Sequence, residues 1–207
     1  MRTFGSFTFE DMYDLFQVEK EDEIALLNEW IAVIPAIQPS DKANLERLRK
    51  HLLKQVLAWN EDELKMFFIG PLIELADLET KEFKPFTQRL LEATIQGIEV
   101  KGKVDFMIAK GIKTAKPPYF CIHEYKQEGN TSEDPLGQLL IAMFVSQQLN
   151  EQKFPILGAY VVGRHWFFAV LQDNQYALSA SYDASSNDIF QIFAILQKSK
   201  EIIQRFI

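Results

Sequence analysis

Two apolar segments separated by a short lysine-rich loop constrain the fold of this chain more than any other feature. Residues 102–109 and 117–126 each have the length and composition of a β-strand. The first segment contains Asp105, and the second ends with Glu124 and Lys126, two positions apart. Because side chains alternate along a strand, Glu124 and Lys126 project from the same face. We therefore expect two adjacent strands that bring two carboxylates and an ammonium together.

These three residue types suit metal-assisted hydrolysis of a phosphodiester. Magnesium often takes one or two carboxylates together with water and a substrate phosphate, and Asp105 and Glu124 supply that minimum. Lys126 can orient or deprotonate the attacking water, or stabilise negative charge on the phosphorane. The pattern predicts a Mg²⁺ (or Mn²⁺) site. The competing interpretation is a solvated Glu-x-Lys ion pair on a half-exposed sheet, which contributes little.

The rest of the chain predicts an α/β fold with a mixed sheet. The expected elements are helices within 9–34 and 40–60, a kinked helix through 64–75, strands at 87–98, 102–109 and 117–126, a helix at 134–149, a strand at 156–162, a strand pair at 165–171 and 176–181, and a helix at 189–203. A turn is expected at 99–102, and Asp134-Pro135 is typical of a helix start. This order favours helices on both faces of the sheet, extra N-terminal helices, a C-terminal β-hairpin and a closing helix.

Two further polar side chains lie on apolar helices next to these strands. Glu74 is the one charge on its apolar helical segment and is a candidate third metal ligand. Gln138 shares a helical stripe with apolar residues, so its amide needs a polar partner. Either an active site near Lys126 or a backbone carbonyl would satisfy it. The alternatives to Glu74 as third ligand are Asp77, Glu63 and Glu92.

The charge is distributed unevenly along the 207 residues, whose net charge is −7. Residues 1–80 carry 8 basic and 16 acidic side chains, whereas residues 81–128 carry 9 basic and 6 acidic ones. An acidic balance disfavours tight binding to a phosphate backbone, but the segment with the motif is basic. The acidic N-terminal helices suit a basic protein partner. Three loop lysines either contact a phosphate backbone or only solvate the loop: Lys110, Lys113 and Lys116.

Several other classes of protein are disfavoured. The sequence has no run of about 18 apolar residues and no signal-peptide pattern, so we expect no membrane partner and a cytoplasmic location. Cys121, the single cysteine, lies mid-strand and is expected to be buried and inert. The histidines His51, His123 and His165 lack the spacing of metal ligands, and no glycine-rich phosphate loop occurs.

In their order along the chain, these residues resemble the PD-(D/E)XK nuclease superfamily, whose members have a restriction-endonuclease-like fold. The chain is most similar to small stand-alone members. Residues 61–163 match the αβββαβ order of the family core, although valine replaces the proline that commonly precedes the first aspartate. The residues that match the pattern are Val104-Asp105, Glu124-Tyr125-Lys126, Glu74 on the preceding helix and Gln138 on the following helix.

Length and resemblance together predict a single domain over residues 1–207. Its parts are expected to be a helical N-terminal extension at 1–60, the nuclease-like core at 61–163, and a hairpin plus helix at 164–207. The segment boundaries come from the match of the family core to residues 61–163.

The resemblance also implies roles for the site residues. Asp105 and Glu124 bind the metal, Glu74 completes the site, Lys126 serves catalysis, and Gln138 matches a helix glutamine of some lineages. The leading hypothesis is a Mg²⁺-dependent nuclease, a hydrolase that binds DNA and cleaves its phosphodiester bonds. RNA or another phosphodiester would use the same residues. The alternative is a catalytically silent module of the same fold that acts through a protein partner.

Overall fold

Helices cover both faces of a mixed β-sheet in this protein. The computed structural model describes residues 1–129, 133–151 and 153–207. The predicted α/β class with a mixed sheet is confirmed. Within the described residues, no helix is both long enough and apolar enough to cross a bilayer.

The sheet is built around an antiparallel meander. The strands formed by the described residues are β1 (Arg2–Thr3), β2 (Glu19–Lys20), β3 (Lys84–Ile95), β4 (Ile98–Lys110), β5 (Lys116–Lys126), β6 (Ile156–Val162), β7 (His165–Gln172), β8 (Gln175–Leu178) and β9 (Tyr182–Asp183). β3, β4 and β5 form the meander, and β6 pairs with β5 in parallel. β7 and β8 continue the sheet in antiparallel fashion.

The helices precede, cross and close the sheet. Those in the described ranges are α1 (Phe9–Phe16), α2 (Ala25–Ile31), α3 (Pro39–Gln55), α4 (Glu61–Leu64), α5 (Gly70–Ala76), α6 (Pro135–Leu149) and α7 (Asp188–Gln204). A π-helical turn, Lys65–Ile69, joins α4 to α5. α6 is the crossover between parallel strands β5 and β6. It begins as predicted, because the Asp134 carboxylate accepts a hydrogen bond from the backbone N–H of Gly137 (2.9 Å).

Two hydrophobic clusters lie on the two faces of the sheet. One packs α2, α3, α5 and α7 against side chains that include Phe106 and Trp166. The other packs α1 and α6 against side chains that include Met107. α6 lies so close to β6 that a Cβ on Gly158 would be 2.4 Å from the Sδ of Met143. The C-terminal half of β5 is buried on both faces, so its polar side chains must find partners within the protein.

The turn between β3 and β4 differs from the prediction. Residues 99–102 belong to β4, and the chain reverses at Gln96 and Gly97. Both residues have positive φ (50° and 80°), which a two-residue hairpin turn requires to match the twist of its strands. Gly97 adopts this conformation without steric cost, which is why the reversal occurs there.

The N-terminal extension, predicted to be helical, contains two short strands besides its helices. β1 pairs in parallel with β4, and β2 pairs in parallel with β8. Residues 1–60 therefore add short strands to the sheet as well as helices, because extended backbone next to an open strand edge satisfies its hydrogen bonds there.

Candidate active site

Asp105 lies where β4 and β5 separate. The ladder between these strands includes the pair Phe106 and His123, and beyond that pair the backbone N–H of Tyr125 donates to Asp105 Oδ2 (2.9 Å). The carboxylate therefore bridges the two diverging strands. Its side chain is 10% exposed, so it remains within reach of a ligand at the edge of the core.

β3 supplies a second contact to this carboxylate. Gln88 lies between the positions of β3 that pair with Phe106 and Val104 of β4, and its Nε2 donates to Asp105 Oδ1 (2.7 Å). The φ of Gln88 is 53°, in the left-handed region. Such a conformation costs a non-glycine residue about 1 kcal/mol or more and is concentrated at functional sites. The strained backbone aims an amide donor at Asp105.

Lys65 provides the cation next to Asp105. Its Nζ lies 2.7 Å from Asp105 Oδ1 and 2.5 Å from Glu61 Oε1. Burial by itself lowers the pKa of Lys65, but the hydrogen bonds to Asp105 and Glu61 outweigh burial and raise the pKa above its usual value. Lys65 is therefore a permanent cation that links α4 to β4.

Glu124 and Lys126 form the charged end of β5. As predicted, they share a face, and Lys126 Nζ lies 3.1 Å from Glu124 Oε1. Despite this salt bridge, burial and the negative charge of Asp105 raise the pKa of Glu124 to about 7. The two carboxylates are therefore close enough to repel each other. An additional cation between them would relieve that repulsion.

Lys126 is held by carboxylates from three segments. Besides Glu124, its Nζ contacts Glu133 Oε2 (2.6 Å) and Glu61 Oε2 (3.9 Å). Burial works to lower the pKa of Lys126, but the charge of Glu124 and the hydrogen bond to Glu133 raise it well above its usual value. The ammonium is therefore charged across the physiological pH range.

Gln138 reaches this network through Glu133. Its Nε2 donates to Glu133 Oε2 (3.2 Å), and the side chain is buried. The amide thus has a polar partner next to Lys126, one of the two possibilities that the sequence left open. Gln138 orients the carboxylate that holds Lys126, so it contributes to the site by positioning.

Glu61, Lys65 and Glu133 were not predicted as site residues. Glu61 connects the two halves of the network, because one of its oxygens contacts Lys65 and the other contacts Lys126. The available signal was the spacing of Glu61 and Lys65, which are four residues apart on one helical face. Such a pair is usually a surface ion pair, so the spacing alone does not reveal the link to β4 and β5.

Glu74 lies in the same cleft as Asp105 but is exposed. Its carboxylate makes no ion pair with Lys65 or Lys126 among the contacts of the described residues. In the part of the chain that the structure describes, no group of three or more His, Cys, Asp or Glu side chains is arranged to hold a metal ion. The role of Glu74 as third ligand stays a prediction, and the site as formed offers two carboxylates.

The three alternatives to Glu74 have other contacts. The carboxylate of Glu63 closes a capping box at the start of α4. Asp77 lines the cleft but pairs with Lys200 (3.2 Å). Glu92 lies on β3 opposite Lys101, in the part of the hairpin that extends beyond the site. Glu63 and Asp77 therefore have other partners, and Glu92 lies away from Asp105.

A cleft of about 870 Å³ opens next to Asp105, between α4, α5 and β3. Its floor includes apolar side chains such as Ile69, Ile73 and Phe106, and Lys65 is the only cation among the described residues that line it. Glu124 and Lys126 are not among the residues that line the cleft. The acidic residues of the lining are Glu61, Asp62, Glu74, Asp77, Glu79 and Asp105.

The lysine-rich loop lies at the opposite end of the β4–β5 hairpin from the site. β5 begins at Lys116 and ends at Lys126, so at about 3.3 Å per residue Lys116 is about 25 Å from Glu124. Lys110 ends β4 at the same distant end. The loop lysines and the carboxylates therefore cannot contact the same phosphate group.

A scan against protein-family models found no matching model, and a search of the curated proteins found no similar relative.

Proposed function

We propose that this protein is a divalent-metal-dependent nuclease of restriction-endonuclease-like fold that hydrolyses phosphodiester bonds in DNA. The observation that carries the proposal is that Asp105 lies beside an open cleft where β4 and β5 diverge, close enough to the Glu124–Lys126 ion pair for its charge to raise the pKa of Glu124. The order α4–α5, β3, β4, β5, α6, β6 supports it, because it is the αβββαβ order of the PD-(D/E)XK core.

The donor set fits a hard divalent cation. Asp105 and Glu124 offer carboxylate oxygens, and Mg²⁺ commonly uses one or two carboxylates and fills its other positions with water and phosphate. Burial, together with the charge of Asp105, raises the pKa of Glu124 to about 7, and a cation bound by both carboxylates would favour its ionised form. When bound, the ion would polarise a phosphoryl oxygen and acidify a water molecule.

Lys126 suits electrostatic stabilisation better than proton abstraction. Because its pKa is raised by Glu124 and Glu133, the ammonium keeps its proton at neutral pH. A fixed ammonium can donate hydrogen bonds to the oxygen of the attacking water and to a phosphorane oxygen on which negative charge develops. Gln138 keeps Glu133 in place, and Glu133 in turn holds Lys126.

The acidic cleft limits how a nucleic acid can approach. Phosphates would meet six carboxylates and one ammonium there, so binding without a divalent ion should be weak. We propose DNA as the substrate, and RNA would meet the same residues. Supercoiled DNA, single-stranded DNA and RNA should therefore be tested in parallel.

The decisive test is Mg²⁺-dependent cleavage by Asp105→Asn. This variant keeps the size of the side chain but loses its charge, so the cleavage rate should fall about 10³-fold. Asp77→Asn is the matched control, because Asp77 is a cleft carboxylate that pairs with Lys200 and asparagine tolerates its positive φ. Its rate should stay close to that of the wild type. Equal cleavage by Asp105→Asn and the wild type would refute the proposal.

One observation favours the alternative, a catalytically silent module that acts through a protein partner. The ammonium of Lys65 already neutralises Asp105 in place of a metal ion. The exposed acidic side chains Glu19, Asp22 and Glu23 at the sheet edge would then contact a basic partner. Thermal melting separates the two functions: Mg²⁺ should raise the melting temperature of the wild type and not that of Glu124→Gln. A wild type without this response would support the alternative.

A further inference from the structure

The ion pair between Lys65 and Asp105 has no role in the proposed hydrolysis. Its Nζ lies 2.7 Å from Asp105 Oδ1, and the two side chains are 21% and 10% exposed. The contact joins residues 40 positions apart in the sequence. A hydrogen bond between two charged groups in this setting is short and strong.

The backbone around Lys65 indicates that this placement is specific. Lys65 is the first residue of the π-helical turn Lys65–Ile69, where the extra residue per turn re-aims the side chains of the helix. Glu61, one turn earlier, accepts a second hydrogen bond from Lys65 Nζ (2.5 Å). The ammonium therefore has two carboxylate anchors and can leave one while it keeps the other.

Asp105 Oδ1 has no free acceptor position for a further ligand. It accepts hydrogen bonds from Lys65 Nζ and from Gln88 Nε2, both at 2.7 Å. A carboxylate oxygen has two lone pairs, so a cation bound by Oδ1 must replace one of the two donors. An ion bound by Oδ2, which accepts a hydrogen bond from the backbone N–H of Tyr125, would lie beside the Lys65 ammonium and be repelled by it. Repulsion between two cations selects Lys65 for displacement, because the amide of Gln88 is neutral.

We propose that Lys65 is a tethered competitor of the divalent ion: it pairs with Asp105 in the metal-free protein and moves onto Glu61 when the ion binds. The inference rests on the proposed function, since it concerns the same metal site. It makes the metal affinity of the wild type weaker than its carboxylates alone would give. Activity then depends on the divalent-ion concentration over a range that Lys65 sets.

The test is calorimetric titration of the full-length, EDTA-treated protein with Mn²⁺ and Mg²⁺. Lys65→Met should bind both ions roughly tenfold to a hundredfold more tightly than the wild type, the range expected for loss of a charged hydrogen-bonded competitor. Lys65→Arg keeps the charge and should bind the ions about as weakly as the wild type. Lys65→Gln, which keeps a neutral donor, serves as a second neutral variant if Lys65→Met does not fold.

The matched control is Lys200→Met. It removes the same charge from another Lys–Asp pair at the cleft, that of Lys200 with Asp77. Its effect on metal affinity should stay below about threefold, as for an exposed pair. A gain equal to that of Lys65→Met would show a general charge effect and overturn the inference.

The outcomes separate this inference from the proposed function. Unchanged or weaker metal binding by Lys65→Met, with Asp105-dependent cleavage by the wild type, overturns the inference alone. Tighter binding by Lys65→Met that disappears in the Asp105→Asn double variant supports the inference, even when the wild type cleaves nothing. Absence of metal binding in all variants overturns both.

Discussion

On the two faces of β5 near its C-terminal end, buried polar side chains are paired in different ways. On one face, Glu124 and Lys126 are charged groups that continue into an ion-pair network reaching the surface. On the other face, Cys121, His123 and Tyr125 form a buried chain of neutral groups. Both faces are protein-covered, so distance from solvent alone does not decide whether a side chain is ionised. Burial and the nearby charges act together: opposite charges keep Lys126 ionised, whereas burial still raises the pKa of Glu124 to about 7 beside the same ammonium.

The neutral face is satisfied internally. His123 Nε2 lies 3.3 Å from Cys121 Sγ, and His123 Nδ1 lies 2.8 Å from the hydroxyl of Tyr125. Burial lowers the pKa of His123 to about 3 and raises the pKa of the Cys121 thiol. The imidazole is therefore neutral, and the expectation of a buried, inert Cys121 agrees with its environment.

Tyr125 joins the two faces. Its hydroxyl contacts His123 in the core, while its backbone N–H donates to Asp105 at the site. The neutral chain therefore helps to position the residue that holds Asp105. Its hydrogen bonds act on the geometry of the site, whereas the charged face acts through its electrostatic field.

Removing one ion from the charged face should have the largest effect on stability. Lys126→Met leaves Glu124 and Glu133 without their nearest cation, and the free energy of unfolding should fall by about 3 kcal/mol at pH 8. Urea denaturation in EDTA measures this. Lys198→Met, which breaks an exposed pair with Glu201, is the control and should cost less than about 0.5 kcal/mol. Equal costs would remove the distinction between the charged face and the surface.

Removing one partner from the neutral face should have a smaller effect. Tyr125→Phe leaves His123 Nδ1 unpaired in the core and should cost about 2 kcal/mol. The double variant with His123→Phe should cost about 1 kcal/mol less than the sum of the single variants, because no unpaired donor or acceptor remains between them. A double-mutant cycle by chemical denaturation measures this coupling. Strict additivity would show that the hydrogen bond is energetically unimportant.

The two faces should also give opposite pH dependences of stability, each a modest change per pH unit. The pKa of His123 is about 3 in the folded protein against an ordinary value of 6.5, so its contribution to stability is lost as the pH falls from 6.5 towards 3. The pKa of Glu124 is about 7 against 4.5, so the folded protein holds a proton that the unfolded chain releases. Its contribution is lost as the pH rises from 4.5 towards 7.

Single substitutions should therefore change the slope of the unfolding free energy against pH in opposite directions. His123→Phe leaves the Glu124 contribution, so stability should fall by up to about 1 kcal/mol per pH unit between pH 4.5 and 7 relative to the wild type. Glu124→Gln leaves the His123 contribution, so stability should rise with pH between 4.5 and 6.5. Urea denaturation in EDTA across this range measures both slopes. Slope changes of the same sign in the two variants would contradict the assigned protonation states of His123 and Glu124.

Much of the fold follows from local patterns in the sequence. The strand–loop–strand segment, the start of α6 at Asp134 and Pro135, and the strand at 156–162 are all present. Local signals identify these elements because apolar periodicity and helix capping involve residues near in sequence. The prediction of a turn at 99–102 is wrong, because the chain reverses at Gln96 and Gly97, where glycine adopts the positive φ of a tight hairpin turn.

The site was predictable only in part, for a related reason. The common face of Glu124 and Lys126 follows from strand alternation, which is local. The contacts of Asp105 with Lys65 and Tyr125 span 40 and 20 residues, and no periodicity in the sequence indicates them. The same holds for the contacts of Glu61, whose spacing with Lys65 resembles an ordinary surface pair.

The sequence by itself determined the α/β class, the meander and the residue types available at the end of β5, because these depend on periodicity and composition over short segments. Only the tertiary structure decided which charges meet. It brought the π-helical turn with Lys65 onto Asp105 and placed Glu61 between the two lysines. The physical reason is that Coulomb interactions and pKa shifts depend on distance in space and on burial, both of which arise when helices pack on the sheet.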